Sequence, residues 1–214
     1  MIARSWFPKV DKDVEKWKVP CCIECNNKKS KIESDTMHKL AMCLSGDDPS
    51  YADILSKVKR SRDPKSATNA KDIVHRLNRK FRTLREIRPV HSRSQRGALP
   101  YFRENFDAGS RLGILISKKS LDHLIGSWVR GIHYSELGKL IPTSREVDVM
   151  HVTESGRKFV HSNIGRFGEV IKKGPGMEVT IYHAEEDDKS ETYYQFSIWG
   201  GFEFSAWISE KANS

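Results

Sequence analysis

Apolar residues in the first ninety positions recur every three or four residues, which is the spacing of one face of an α-helix. Three helices are predicted, over Asn27 to about Cys43, Tyr51 to Lys59, and about Thr68 to Ile87. Pro89 ends the third, because proline disfavours helical backbone in the residue before it. The third helix carries apolar positions at Ile73, Leu77, Phe81, Leu84 and Ile87, with Arg76, Arg79, Lys80, Arg82 and Arg85 on its other faces.

The C-terminal half changes from helical periodicity to alternation. After Leu112–Ile116, a helix from about Lys118 to Tyr134 has a broad apolar face that we expect to be core. The alternating or apolar runs that follow, rich in β-branched and aromatic residues, predict strands separated by short turns. These strands cover 147–152, 167–171, 177–182, 192–199 and 202–208.

The predicted fold is therefore α+β, with an N-terminal helical region and a C-terminal helix plus antiparallel β-meander. Composition divides the chain into four regions. They are an N-terminal knuckle region (1–45), a basic helical region (46–90), a basic linker (91–111) and an α+β domain (112–214).

Charge is distributed unevenly along the chain. The formal net charge is +9, and residues 1–110 hold 24 Lys and Arg against 14 Asp and Glu, whereas residues 111–214 hold 13 against 14. Between Lys57 and Arg103, 15 basic residues meet three acidic ones. A run so nearly of one sign favours contact with phosphates, although a solvated helical face is the alternative.

Composition also limits where the protein works. No apolar run approaches the roughly 18 to 20 residues of a membrane span, and the N-terminus has no apolar stretch of signal-peptide length. We therefore expect a cytoplasmic protein that does not bind membranes. In that compartment, clustered cysteines favour metal ligation over disulfides.

The segment from Val19 to Lys31 carries the clearest chemical signal. Cys22 and Cys25 form a Cys-x-x-Cys turn that could supply two thiolates to one tetrahedral zinc. Asn26 and three lysines, Lys28, Lys29 and Lys31, follow directly as exposed donors on the first turns of the predicted helix. Two partly buried cytosolic cysteines are the structural alternative.

At these residues the chain resembles the HNH endonucleases, the ββα-metal nucleases. Many members carry a second zinc knuckle of the form Val-Pro-x-Cys-x-x-Cys-Asn-x-x-Lys-Ser, matched here at Val19, Pro20, Cys22, Cys25, Asn26, Lys29 and Ser30. The resemblance covers residues 2–45 well and the helices to residue 90 loosely. It implies a structural zinc half-site at Cys22 and Cys25 and a catalytic-metal ligand position at Asn26. Phosphodiester hydrolysis also needs a cation for the developing phosphorane charge, which Lys29 or Lys31 could supply as a phosphate contact.

The resemblance also shows departures from the family pattern. The Glu-His dyad that provides the general base, and the earlier Cys-x-x-Cys, would lie before Met1, and the family's middle Asn aligns near Lys16. We therefore expect either a reading frame that starts earlier or a shortened and inactive nuclease.

Three functions remain open on the sequence. The first is an HNH-type endonuclease acting on DNA, with Mg²⁺ or another divalent metal if catalytic. The second is a non-catalytic zinc-knuckle module binding nucleic acid, most simply duplex DNA, in which a homodimer or a partner chain completes the zinc site. The third is a subunit whose basic face docks an acidic protein. Candidate nucleic-acid contacts are Lys28, Lys31, Arg76, Arg79, Lys80, Arg82 and Arg85.

Overall fold

The computed structural model describes residues 6, 22–44, 51–89, 112–114, 116–151, 162, 168–172, 176–186, 189–200 and 202–210. The chain divides into two compact units, one comprising Met1–Glu33 with Lys119–Ser214 and the other Ser34–Lys118. The division falls within the first helix, between Glu33 and Ser34. The four regions expected from composition stay a prediction.

Four α-helices lie in the described part of the chain, and three of them belong to its first half. They are α1 (Ile23–Met42), α2 (Ala52–Arg60) and α3 (Ala70–Glu86), with a short 3₁₀ turn at Pro64–Ser66 between the last two. The first helix begins four residues earlier than predicted. The reason is local, because the Cys22 side chain accepts a hydrogen bond from the backbone N–H of Cys25 and so takes the N-cap position.

The ends of α3 also differ from the prediction. Asn69, rather than Thr68, caps its first turn by accepting a hydrogen bond from the Asp72 backbone N–H at 2.9 Å. The helix stops at Glu86, and Ile87 begins a short strand, β1 (Ile87–Pro89), which pairs antiparallel with β2 (Leu112–Ile114). Ile87 is β-branched, which favours extended backbone, and Pro89 disfavours helical backbone in the residue before it, Arg88.

The unit that comprises Met1–Glu33 and Lys119–Ser214 is built on helix α4 (Lys118–Leu137) and on a five-stranded antiparallel sheet. Helix α4 belongs to this unit from Lys119 onward. The sheet order is β3-β7-β6-β5-β4, so the last four strands form the predicted meander. The first strand joins the sheet at the far edge, beside the last one. The strands are β3 (Arg145–His151), β4 (Gly168–Lys172), β5 (Met177–Glu186), β6 (Lys189–Ile198) and β7 (Phe202–Glu210).

The core of this unit lies where α4 packs against β6. Trp128 of α4 is buried with its ring 6.1 Å from that of Phe196, and one turn further His133 Nδ1 is 2.7 Å from the Tyr194 hydroxyl. Trp6 is also fully buried here, edge-on to Trp128 at 4.9 Å. The expectation that α4 carries a core face is confirmed.

The fold class is α+β, as the change of periodicity predicted. Among the described residues, no helix is both long enough and apolar enough to cross a membrane.

Candidate nucleic-acid interface

The Cys22–Cys25 pair forms the first turn of α1. Cys22 precedes the first helical residue, and its carbonyl accepts the first helical hydrogen bond, from the Asn26 N–H at 3.0 Å. The Cys25 N–H donates to Cys22 Sγ at 3.3 Å, and both cysteines are exposed. The motif therefore places two thiol groups at an accessible helix start.

The hydrogen bonds that Cys22 accepts from Cys25 lower the pKa of its thiol, since they stabilise the negative sulfur. A thiolate is the form that ligates zinc and the form that reacts with electrophiles. Two thiolates fill only half of a tetrahedral zinc site. The described residues contain no group of three or more His, Cys, Asp or Glu side chains arranged for a metal ion. Within the described residues, Cys22 and Cys25 are therefore not joined by further side chains of these types in such a group.

Helix α1 presents polar side chains directly after the cysteine pair. Asn26, Lys28 and Lys31 are exposed, and Lys29 is partly exposed. Because the first two turns are solvent-accessible on nearly every side, donors from these residues can reach a large anion without displacing packed groups. This segment brings together all the site residues that the sequence predicted near the cysteine pair.

His123 of α4 is a neighbour that the sequence did not indicate. Its pKa is lowered first by burial and then by the positive charges of Lys28 and Lys29. Its Nε2 atom is buried and has no hydrogen-bond partner in the part of the chain that the structure describes. A histidine almost a hundred residues from the motif, inside an ordinary amphipathic helix, offered no sequence signal.

The basic residues of α3 do not form a single surface. Arg76 is partly buried, pairs with Asp72 at 3.0 Å, and donates to the backbone carbonyl of Arg60. Arg82 pairs with Asp35 at 3.0 Å. Lys71, Lys80 and Arg85 are exposed and have no ion pair recorded in the described part of the chain, while Arg79 is half-buried.

Arg79 lies near a buried polar cluster that sequence analysis also missed. Lys39 is almost fully buried and forms ion pairs of 3.0 Å with both Asp35 and Glu86. Its neighbour His38 is buried, with Nε2 2.9 Å from Ser61 Oγ. Burial, followed by the charges of Arg79 and Arg62, lowers the pKa of His38. Lys39 and Glu86 are 47 residues apart in the sequence, so no local pattern could indicate that they pair.

Two residues considered beside the motif have structural roles. Trp6 is fully buried between Trp128 and Trp199. Cys43 is half-buried and donates to the Lys39 carbonyl at 3.5 Å, and burial raises its pKa to about 11. Trp17 and Cys21 lie outside the described residues.

Comparisons with protein-family models, curated proteins and solved structures find no match for this chain. The HNH resemblance therefore rests on the residues of the knuckle motif alone.

Proposed function

We propose that this chain is a zinc-knuckle protein of the HNH class that binds nucleic acid through the start of α1. The observation that carries the proposal is the exposure of Asn26, Lys28 and Lys31 directly after the cysteine pair. Exposed cations at such a site contact phosphates and release counterions, which makes duplex DNA the simplest partner. A cytoplasmic setting, which keeps thiols reduced, belongs to the same proposal.

Zinc has a structural part in this proposal. Cys22 and Cys25 would hold it together with two ligands from a partner chain or from the rest of this one, and the ion would fix the first turn of α1. The lysines of that turn would then be held in a constant position relative to the nucleic acid.

Phosphodiester hydrolysis is the second candidate, favoured by one observation. Burial, and after it the charges of Lys28 and Lys29, lowers the pKa of His123, and a neutral imidazole is the state that a general base requires. By resemblance, Asn26 would be a ligand of the catalytic divalent metal, and Lys29 would supply the cation that the developing phosphorane charge requires. Cleavage that survives His123→Gln but falls with Asn26→Ala would exclude His123 as the base.

Binding is tested by titrating fluorescent duplex DNA with the full chain at several salt concentrations. Replacing both Lys28 and Lys31 by Ala should reduce the slope of log K against log salt by about 1.8, because each lost phosphate contact removes about 0.9. The matched control replaces two exposed lysines outside the motif, Lys119 and Lys139, and should leave the slope nearly unchanged. Equal slopes for both double variants would contradict the proposed interface.

Zinc is tested by metal analysis of the purified chain. At most about one zinc per chain is expected, and Cys22→Ser should abolish its retention because one of two chain ligands is lost. Cys43→Ser is the matched control, since that thiol is half-buried and its raised pKa disfavours the thiolate. A stable 1:1 complex that survives Cys22→Ser would refute the assignment of Cys22.

A further inference from the structure

Helix α3 turns its apolar side outward. At 3.6 residues per turn, its large apolar residues all fall within an arc of roughly 100°. Ile73, Val74, Phe81 and Leu84 are exposed by 40%, 55%, 55% and 52% of their surface, and Leu77 is partly exposed. We call these five residues the α3 apolar stripe.

The opposite side of α3 faces inward although it is polar. Thr83 is its only buried residue, and its hydroxyl donates to the Arg79 carbonyl at 2.9 Å. Asp72, Arg76 and Glu86 are half-buried there, in the ion pairs with one another and with Lys39 described above. Polar contacts thus hold helix α3 against the rest of its unit. Burial of its apolar side is not what holds it there.

The size of the stripe indicates a binding surface. From Ile73 to Leu84 it extends roughly 16 Å, the length of three helical turns. Its exposed area is on the order of 300 Å², the size at which an apolar patch on a monomer commonly marks an interaction site. Four of its residues follow the 0, +4, +8, +11 spacing with which one helix packs against another, namely Ile73, Leu77, Phe81 and Leu84.

Charge at the edges of the stripe selects among possible occupants. The exposed Lys80 borders one edge and the exposed Arg85 the other, whereas the acidic residues Asp72 and Glu86 point to the inward side. A second copy of α3 would bring like charges together, which disfavours self-association. Phosphates would meet an apolar surface, which disfavours nucleic acid on this side.

A lipid surface also fits less well than a protein. Attachment to anionic membranes takes clusters of about four to eight Lys and Arg beside the apolar surface. Here Arg76 and Arg79 are turned inward and Arg82 is paired with Asp35, which leaves Lys71, Lys80 and Arg85 as the exposed cations of α3 without a recorded ion pair. A short amphipathic helix with acidic flanks matches both the length of the stripe and its charge.

We propose that the α3 apolar stripe is the docking site for an acidic amphipathic helix of another protein. The apolar ridge of that helix packs on Phe81 and Leu84, and its carboxylates face Lys80 and Arg85. The stripe shares no residue with the cysteine motif, so the chain would bind a nucleic acid through the start of α1 and a protein through α3.

The probe is a synthetic helical peptide with leucines spaced 0, +4, +8, +11 and glutamates on both flanks, and the matched peptide has lysines in place of the glutamates. Fluorescence anisotropy with the full chain should show binding of the acidic peptide at least about tenfold tighter than binding of the basic one. The double change Phe81→Ser and Leu84→Ser should weaken the acidic peptide by about tenfold or more.

Control variants test whether peptide binding depends on this surface or on exposed apolar residues and net charge in general. Leu140→Ser removes another exposed apolar side chain, 77% accessible, and should leave peptide binding unchanged. Lys80→Glu with Arg85→Glu should reverse the preference between the peptides, whereas Lys59→Glu with Lys65→Glu changes the net charge equally and should not. Circular dichroism shows whether each variant keeps its helix content.

Several results would overturn the proposal. These are equal affinity for the two peptides, no binding of either peptide, or no loss in the serine double variant. Sedimentation that shows a dimer dispersed by the serine variant would assign the stripe to a second copy. If the chain binds neither peptide but binds phosphatidylserine vesicles, and the serine variant does not bind them, the stripe would be assigned to a membrane. The Lys28 and Lys31 double variant should bind the peptide normally, so failure of this inference and failure of the nucleic-acid proposal are distinguishable.

Discussion

Trp6 should contribute strongly to the stability of the unit that contains the β-sheet. Its indole is fully buried, edge-on to Trp128 at 4.9 Å and stacked on Trp199 at 5.2 Å. Its backbone carbonyl accepts a hydrogen bond from Trp199 Nε1 at 2.9 Å. Replacing a buried tryptophan by alanine typically costs about 3–5 kcal/mol, because both transfer free energy and packing are lost. We expect a loss of that size for Trp6→Ala.

Trp6→Phe should behave differently, and the contrast tests the reasoning. Within the described residues, the buried Trp6 Nε1–H has no acceptor, and such a donor costs about 1–3 kcal/mol of desolvation. Phenylalanine removes that donor while keeping an aromatic ring between the two other indoles. The two effects oppose each other, so the net loss should stay below about 1.5 kcal/mol.

Urea unfolding followed by near-ultraviolet circular dichroism measures the free energy of unfolding of each variant. The signal reports tryptophan packing, so it follows the unit that contains the sheet even if the other unit unfolds separately. Ile23→Ala is the matched control, since Ile23 is 81% exposed and its truncation should change stability by less than about 0.5 kcal/mol. The reasoning fails if Trp6→Ala costs less than about 1 kcal/mol, or if Trp6→Phe costs as much as Trp6→Ala.

Two further predictions concern ionisable groups. At pH 7.5 iodoacetamide should label Cys22 well before Cys43, because Cys22 is exposed with a lowered pKa and Cys43 is half-buried with a pKa of about 11; equal labelling rates by mass spectrometry would contradict this. Burial lowers the pKa of His38 and His133 in the folded chain, so as the pH falls these histidines are protonated more readily in the unfolded chain. The free energy of unfolding should therefore keep its full value above a pH of about 6.5, the ordinary histidine pKa, and decrease as the pH drops below it. Urea midpoints should show this fall shrinking in His38→Gln but not in exposed His75→Gln, and an unchanged fall in His38→Gln would contradict the assignment.

Periodicity predicted the elements well because it reports a local property. Helix α4 and the strands of the meander each bury one side, so their apolar spacing is visible in the sequence. The ends were less predictable, since they depend on single contacts such as the Cys22 cap or the asparagine before α3. The position of β3 beside β7 depends on pairing across more than fifty residues, which no local pattern records.

The candidate site was predictable to the same degree. The exposed donors after Cys25 were expected from their place in the first turns of a helix. The arginines of α3 were identified as a group, but the sequence could not show that Arg76 and Arg82 are engaged by Asp72 and Asp35. Amphipathicity identifies which residues share a side of a helix, and the direction in which that side points depends on the partners that the helix finds.

The place of β7 inside the sheet has a consequence for how the protein is made. Strands β3 and β6 flank β7, and its residues Phe202–Glu210 are the last of the sheet to leave the ribosome. Strand β3, synthesised some fifty residues earlier, has no partner in the sheet until then. During translation its backbone N–H and C=O groups stay available to other chains, as at any unpaired edge. A ribosome that stops before residue 202 would therefore release a sheet with an open edge at β6 and an unpaired β3, which is a substrate for chaperones and for aggregation.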